Sequence, residues 1–283
     1  MVEKLARLYE DTIRENIEFL TKLEKQLYGK ISYNQIVKQS LEESTKNLTQ
    51  KWISEKKYLR TKYARDAIPN YPQKTLKLSV ILDANINLMD DILDEDLSKK
   101  EKGLYLVELL RVMALRDSYK INGEAEKRIS NYFNKIIFVA ISEQIFLEQM
   151  KQTSGEKFYE IASDYFKGRG LDMDIFLELP LHERGYQTKE IEEVLKAGRI
   201  FRTINLMKKD LIDLEHDLKT GIETPITLLQ RKKQPIHDFI DYVFSNSMST
   251  AKTKSSQKTE TIVHNLLHLS LQDQKDIKSL TKK

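Results

Sequence analysis

The chain is predicted to be all-α, a single-domain helical bundle over residues 1–283 surrounding a central cavity, and three observations carry that expectation. Helix breakers are scarce, with only 9 Gly and 5 Pro in 283 residues, fewer than an all-β or α/β chain of this length needs for its turns. Apolar residues recur at three- and four-residue intervals almost from end to end. The 40% apolar share supplies a core, and the 32% of charged residues suits helices with one wet face.

The elements follow in order. Leu5, Leu8, Ile13, Ile17, Leu20, Leu23 and Leu27 share one face of a first helix that Gly29 ends. A second runs from about Tyr33 to Arg65 and is stopped by Ile68-Pro69-Asn70-Tyr71-Pro72. The third covers Lys74 to about Leu97, and the fourth covers Glu101–Lys120 and halts at Asn122-Gly123. A fifth spans Glu124–Gln152, with a turn at Ser154-Gly155. The sixth starts near Lys157, is interrupted at Gly168-Arg169-Gly170 and resumes to Leu179 before Pro180. The seventh, Thr188–Lys219, has Thr188 as its expected N-cap and Gly221 as its stop. Two shorter helices, about Ile236–Ser245 and Thr259–Ser279, flank a polar loop at about 246–258 that reads as flexible.

Composition excludes several classes of function. A net charge of +4 is small against 47 basic and 43 acidic residues, so no field for nucleic acid or a membrane surface is implied. Cysteine is absent, which removes disulfides, thiolate metal sites and a thiol nucleophile together. The first twenty residues form a mixed-charge amphipathic helix rather than a signal peptide. No apolar run is long enough for a transmembrane segment, so a cytoplasmic protein is expected. His264 and His268 lie four apart on the terminal helix and read as surface residues. Trp52, Tyr132, Phe133, Phe138, Phe146, Phe158 and Tyr165 read as core.

Two acidic stripes stand out. The third helix carries Asp83, Asn87, Asp90, Asp91, Asp94, Glu95 and Asp96 among residues apolar on most sides, such as Leu82, Ile86, Leu88, Ile92 and Leu93. Asp90 and Asp94 are one turn apart and point the same way. Their repulsion is relieved by a divalent cation, and Mg²⁺ prefers carboxylate oxygen while leaving positions for phosphate. The alternative is a solvated acidic helix end, but the ridge back to Asp83 needs something to face. The seventh helix places Asp210, Asp213 and Asp217 on one face. Its alternative reading is a salt-bridged wet face shared with Lys208, Lys209 and Lys219. Together the two stripes suggest facing carboxylate walls with metal and a polyanion between them.

These residues resemble the class I isoprenoid synthases, closest to the trans-prenyl diphosphate synthases. Asp90-Asp91-Ile92-Leu93-Asp94 is a literal DDxxD, and Lys99-Lys100 fall where the family places a basic pair. Asp213…Asp217-Leu-Lys-Thr-Gly-Ile-Glu-Thr-Pro225 is similar to the second aspartate motif. Gln144 resembles the glutamine of a GQ position, Lys167-Gly168-Arg169-Gly170-Leu171 a KTxxL segment, and Lys57-Tyr58-Leu59-Arg60 a KRLR segment. The resemblance covers residues 57 to 225. It implies Mg²⁺-dependent prenyl transfer, in which an allylic diphosphate ionises and condenses with isopentenyl diphosphate. Two or three Mg²⁺ ions would be held by Asp90 and Asp94, supported by Asp91, and by Asp210, Asp213 and Asp217. Lys167 and Lys219 would contact the allylic diphosphate, and Lys57, Arg60, Lys99 and Lys100 the second one. Chain length would be set at Ile86 and Asn85, and homodimerisation is a family expectation.

Three departures keep other readings open. Lys209 stands where the second motif begins with an acid, Lys-Lys replaces Arg-Arg and loses the bidentate fork, and the glycines of two motifs are missing. A terpene cyclase using one diphosphate, with Arg169 as its sensor, is the first alternative. A non-catalytic subunit retaining the fold is the second.

Overall fold

A computed structural model describes residues 3–11, 43, 46, 47, 49–53, 59–94, 106, 109, 113, 123–249 and 255–281. These residues are mostly helical with no strand among them, as the periodicity predicts. No helix among them is long and apolar enough to cross a membrane. Most of the predicted first, second and fourth helices, and Lys57, Lys99 and Lys100, lie outside the described residues. The chain divides into two compact units, Met1–Asp66 with Asn70–Asn122, and Ala67–Pro69 with Gly123–Lys283.

The first unit holds α1 (Leu59–Ala67) but for its last residue, and α2 (Gln73–Asp94), which follows a turn with Asn70 at φ 52°. The Leu76 N–H reaches back to the Pro72 carbonyl at 2.9 Å, which starts α2 directly after that proline. Residues 81–88 are buried without a break, the outcome expected for a helix apolar nearly all round. Leu76, Val80, Ile81, Ala84 and Leu88 pack with Leu5, Ala6, Tyr9 and Trp52, the two rings lying 5.6 Å apart.

The second unit contains α3 (Gly123–Lys151), α4 (Gly155–Arg169), a 3₁₀ turn (Gly170–Met173), α5 (Asp174–Glu183), α6 (Thr188–Thr220), α7 (Pro225–Arg231), α8 (Ile236–Ser249) and α9 (Glu260–Leu280). The long α6 is its axis: α4, the 3₁₀ turn, α5, α7, α8 and α9 all pack against it. The core joins Phe158, Phe166, Ile204, Met207, Leu229, Phe239 and Val243. Two crossings are close at glycines: a Cβ at Gly198 would meet the end of the Leu177 side chain at 2.3 Å, and one at Gly170 would meet the Arg199 carbonyl at 3.1 Å. At the far end of α3, the Lys232 ammonium donates to the Met150 and Lys151 carbonyls at 2.7 and 2.9 Å. It thereby closes the helix's open carbonyls with a cation, the charge a C-terminus favours.

Several boundaries differ from expectation. The Gly168–Gly170 interruption is no break, because α4 runs through it into a 3₁₀ turn and then α5. Nor does Pro180 end α5, which continues to Glu183. N–H groups of Arg184, Gly185 and Tyr186 bond back to Pro180, Leu181 and His182 carbonyls, so the last turn is closed after the proline. Gln187, not Thr188, caps α6, its N–H donating to the Glu190 carboxylate at 2.7 Å. Gly221 stops that helix at φ 80°, as predicted. The short α7 was not expected. Thr224 and Thr227 exchange caps at its start, with Pro225 in the first position.

The polar segment expected as a loop at 246–258 is helical to Ser249. Its far end is held to α6, where Glu193 accepts from the Ser256 N–H and the Thr259 hydroxyl at 2.9 and 2.8 Å. Lys258 lies over the Tyr186 ring at 4.3 Å. Phe138, read as core, is 68% exposed, because it falls on the outer side of α3. His264 and His268 are exposed on α9, as read.

Candidate functional site

The aspartates of α2 are built into the first unit. Asp83 is fully buried, and both oxygens have donors. Oδ1 accepts from Arg60 Nη1 at 3.0 Å, and Oδ2 accepts from the Thr61 N–H at 3.0 Å and its hydroxyl at 2.8 Å. The same guanidinium donates to Asn87 Oδ1 at 3.3 Å. Arg60, expected at a diphosphate, is therefore bonded to the polar ridge of α2. Four residues beyond Asn87, the buried Asp91 accepts from the Trp52 indole N–H at 3.0 Å and faces Lys51 at 3.7 Å. The ridge thus meets groups from within its own unit. Asp90 and Asp94 lie on α2, but their side chains lie outside the described residues. Ile86 and Asn85 are buried; nothing in the structure explains why Asn85 is polar, and its Nδ2 has no partner.

The α6 cluster is different. Asp210 is 5% exposed. Arg169, delivered by the end of α4, places Nη1 3.7 Å from Asp210 Oδ1. Oδ2 is buried with no hydrogen-bond donor. Burial pushes the Asp210 carboxyl up to about 6, against the pull of Arg169 and Lys209 and with help from Asp217 and Asp213. Asp217 is also buried, and desolvation followed by the Asp213 charge raises it too. Asp213, one turn before Asp217, is half-buried.

Arg169 is the hinge of this cluster. Its Nε lies 3.3 Å from Glu143, its Nη1 donates to Tyr165 Oη at 3.3 Å, and its guanidinium sits 5.4 Å from the Tyr165 ring centre. Burial alone would lower the Arg169 pKa, but Tyr165, Asp210 and Glu143 raise it, so the cation is held firmly charged. Burial likewise pushes the Tyr165 phenol up. Glu143 and Tyr165 were not picked out as site residues. The available signals were their places, one residue before Gln144 and one turn before Arg169.

The half-buried position of Arg169 depends on a polar network behind it. Arg202 grips Asp172 of the 3₁₀ turn through Nε and Nη2 at 2.9 and 2.8 Å. It also donates to Asn205, which donates to Asp273 of α9 at 2.8 Å. That chain fixes the turn following Arg169, and so the direction from which its guanidinium arrives.

The remaining expected contacts are solvent-facing. Lys167 is exposed and pairs with Asp164 at 3.2 Å, while Gln144, Lys209 and Lys219 are also exposed. Among the described residues no group of three or more His, Asp or Glu side chains is gathered closely enough to hold a metal by itself. Asp210, Asp213 and Asp217 are spread over two turns of one helix edge. The unmatched Asp210 oxygen and the anionic neighbours suit a hard cation such as Mg²⁺ whose remaining positions are filled by water or phosphate. No family model, curated protein or solved structure matches the chain.

Proposed function

We propose that the chain is a divergent enzyme of the class I isoprenoid synthase kind, which takes an allylic prenyl diphosphate with Mg²⁺ and ionises it for transfer to isopentenyl diphosphate. The observation that carries this reading is Asp210, a carboxylate buried beside a cation yet left with an unmatched oxygen. A buried acceptor without a donor is costly and calls for an absent partner. Asp210, Asp213 and Asp217 form the acidic edge on α6, and the Asp90-Asp91-Ile92-Leu93-Asp94 motif supports the same reading as a sequence feature alone. Bound Mg²⁺ would stabilise charge on the departing diphosphate. Arg169 donates to that diphosphate when it leaves Asp210, and Lys167 and Lys219 add charge from exposed positions.

One observation favours the single-substrate alternative, a cyclase. Arg60 is bonded to Asp83 and Asn87, which withdraws one of the four cations expected at a second diphosphate. Incubation with Mg²⁺ and dimethylallyl, geranyl or farnesyl diphosphate, with and without isopentenyl diphosphate, separates the two. A longer diphosphate formed only with the second substrate supports transfer, and a hydrocarbon or alcohol from one substrate supports cyclisation. No turnover of any of them, with diphosphate binding unaffected by Asp213→Asn, sinks both.

A further inference from the structure

We propose that a cavity between α3 and α5 of the second unit binds a small phosphoryl anion, independently of the aspartate clusters. The cavity measures about 280 Å³, just below the ~300–1,000 Å³ typical of sites for drug-sized ligands. Its α3 wall carries Lys127, Asn131 and Lys135. These are spaced one turn apart, so their donors form a row down a single side of the helix.

The opposite wall carries Asp174 and Glu178, and both carboxylates already have cations. Arg199 forks Asp174 with Nε and Nη2 at 2.8 and 2.6 Å, the bidentate geometry that most fully matches a carboxylate. Arg128 pairs with Glu178. With Arg128 and Arg199 balancing the two acids, the ammonium groups of Lys127 and Lys135 are a surplus of positive charge. Lys127 and Asn131 have no partner among the described residues, and Lys135 has only a long 3.5 Å contact to Asp174. The Tyr132 hydroxyl donates to the Asp172 carbonyl at 2.9 Å, so that residue contributes its ring as a wall.

A concave surface with excess positive charge concentrates anions. Three separate donors in a row match the several oxygens of a phosphoryl group better than the two of a carboxylate, and lysine binds phosphate as a point charge. The ligand is therefore inorganic phosphate or diphosphate, or the phosphate end of a small organic ester.

Calorimetric titration in the presence of EDTA tests this, since binding through carboxylate-held Mg²⁺ is then silent. Inorganic phosphate, diphosphate and glycerol phosphate are each expected to saturate at one per chain. Tighter binding of the inorganic ions identifies a free anion as ligand, and tighter binding of glycerol phosphate identifies an ester. Lys127→Gln/Lys135→Gln is expected to weaken binding at least tenfold. Removal of two distant surface lysines in Lys157→Gln/Lys278→Gln is expected to leave it unchanged. All four side chains lie at the surface, and circular dichroism checks that each variant is folded. The proposal is overturned if the wild-type chain shows no saturable binding, if the double variant binds as well as wild type, or if acetate competes as strongly as phosphate.

Discussion

The buried aspartates of α2 are met by donors inside their own unit, whereas Asp210 of α6 is buried beside a cation and keeps one oxygen unmatched. Asp83 takes a guanidinium, an amide and a hydroxyl, and Asp91 takes an indole N–H. Such carboxylates organise the helices around them, and their charge is already answered. Asp210 has a cation at 3.7 Å and an orphan oxygen. A carboxylate of that second kind burdens the fold unless a proton or a metal joins it. Two stripes of similar spacing can therefore differ in purpose, and what distinguishes them is whether the local donors add up.

The comparison breaks most visibly at Arg60. Arg60→Ala leaves Asp83 buried without its cation and is expected to destabilise the protein by about 3–5 kcal/mol, read from urea unfolding. A loss below about 1 kcal/mol would mean that the pair does not anchor the α2 ridge.

The pH dependence of the metal-free protein sharpens the α6 side. The Asp210 carboxyl lies near 6 in the fold against an ordinary 3.8. Its contribution to stability is thus full below about pH 3.8 and lost as pH rises through 6. The difference amounts to about 3 kcal/mol, and Asp217 adds to it in the same direction. Asp210→Asn should remove most of that slope between pH 4 and 7 in unfolding measurements. An unchanged slope would show that Asp210 is not the group responsible.

The smallest expected effect is at Trp52. Trp52→Phe keeps a ring beside Tyr9 but deletes the donor to Asp91, a loss of about 1.5–3 kcal/mol for a hydrogen bond to a charged group. Full stability in the variant would show that Asp91 finds another donor.

Much of the helical pattern was legible because it is local. The periodicity of α2, α3 and α6 places their ends within a residue or a few, and Gly221 marks a stop that needs positive φ. What escaped was either short or tertiary. The helix α7 has only seven residues, too few for periodicity to register, although Thr224-Pro225 is a start signal. Pro180 reads as a terminator because its missing N–H is a local fact, while the bonds that close α5 after it come from the following turn. At the site, the α6 face was legible from spacing alone. The partners of Asp83 and Asp91 were not, since Arg60 lies 23 residues from the first and Trp52 39 from the second. Arg60 was given another role in the sequence, a diphosphate contact, while Trp52 was read as the core ring it is but not as a donor. Arg169 was singled out, but its closure on Asp210 and Glu143 depends on a turn anchored through Arg202 to α9, which no local pattern reveals.

The most direct test of the α6 account is the Mg²⁺-dependent part of diphosphate binding, measured by calorimetry with Mg²⁺ and with EDTA on wild type, Asp210→Asn and Asp213→Asn. Wild type should gain affinity for diphosphate when Mg²⁺ is added, and each variant should lose at least tenfold of that gain. An equal Mg²⁺ response in all three proteins, or none in wild type, would contradict the assignment of this helix edge as a cation and diphosphate site.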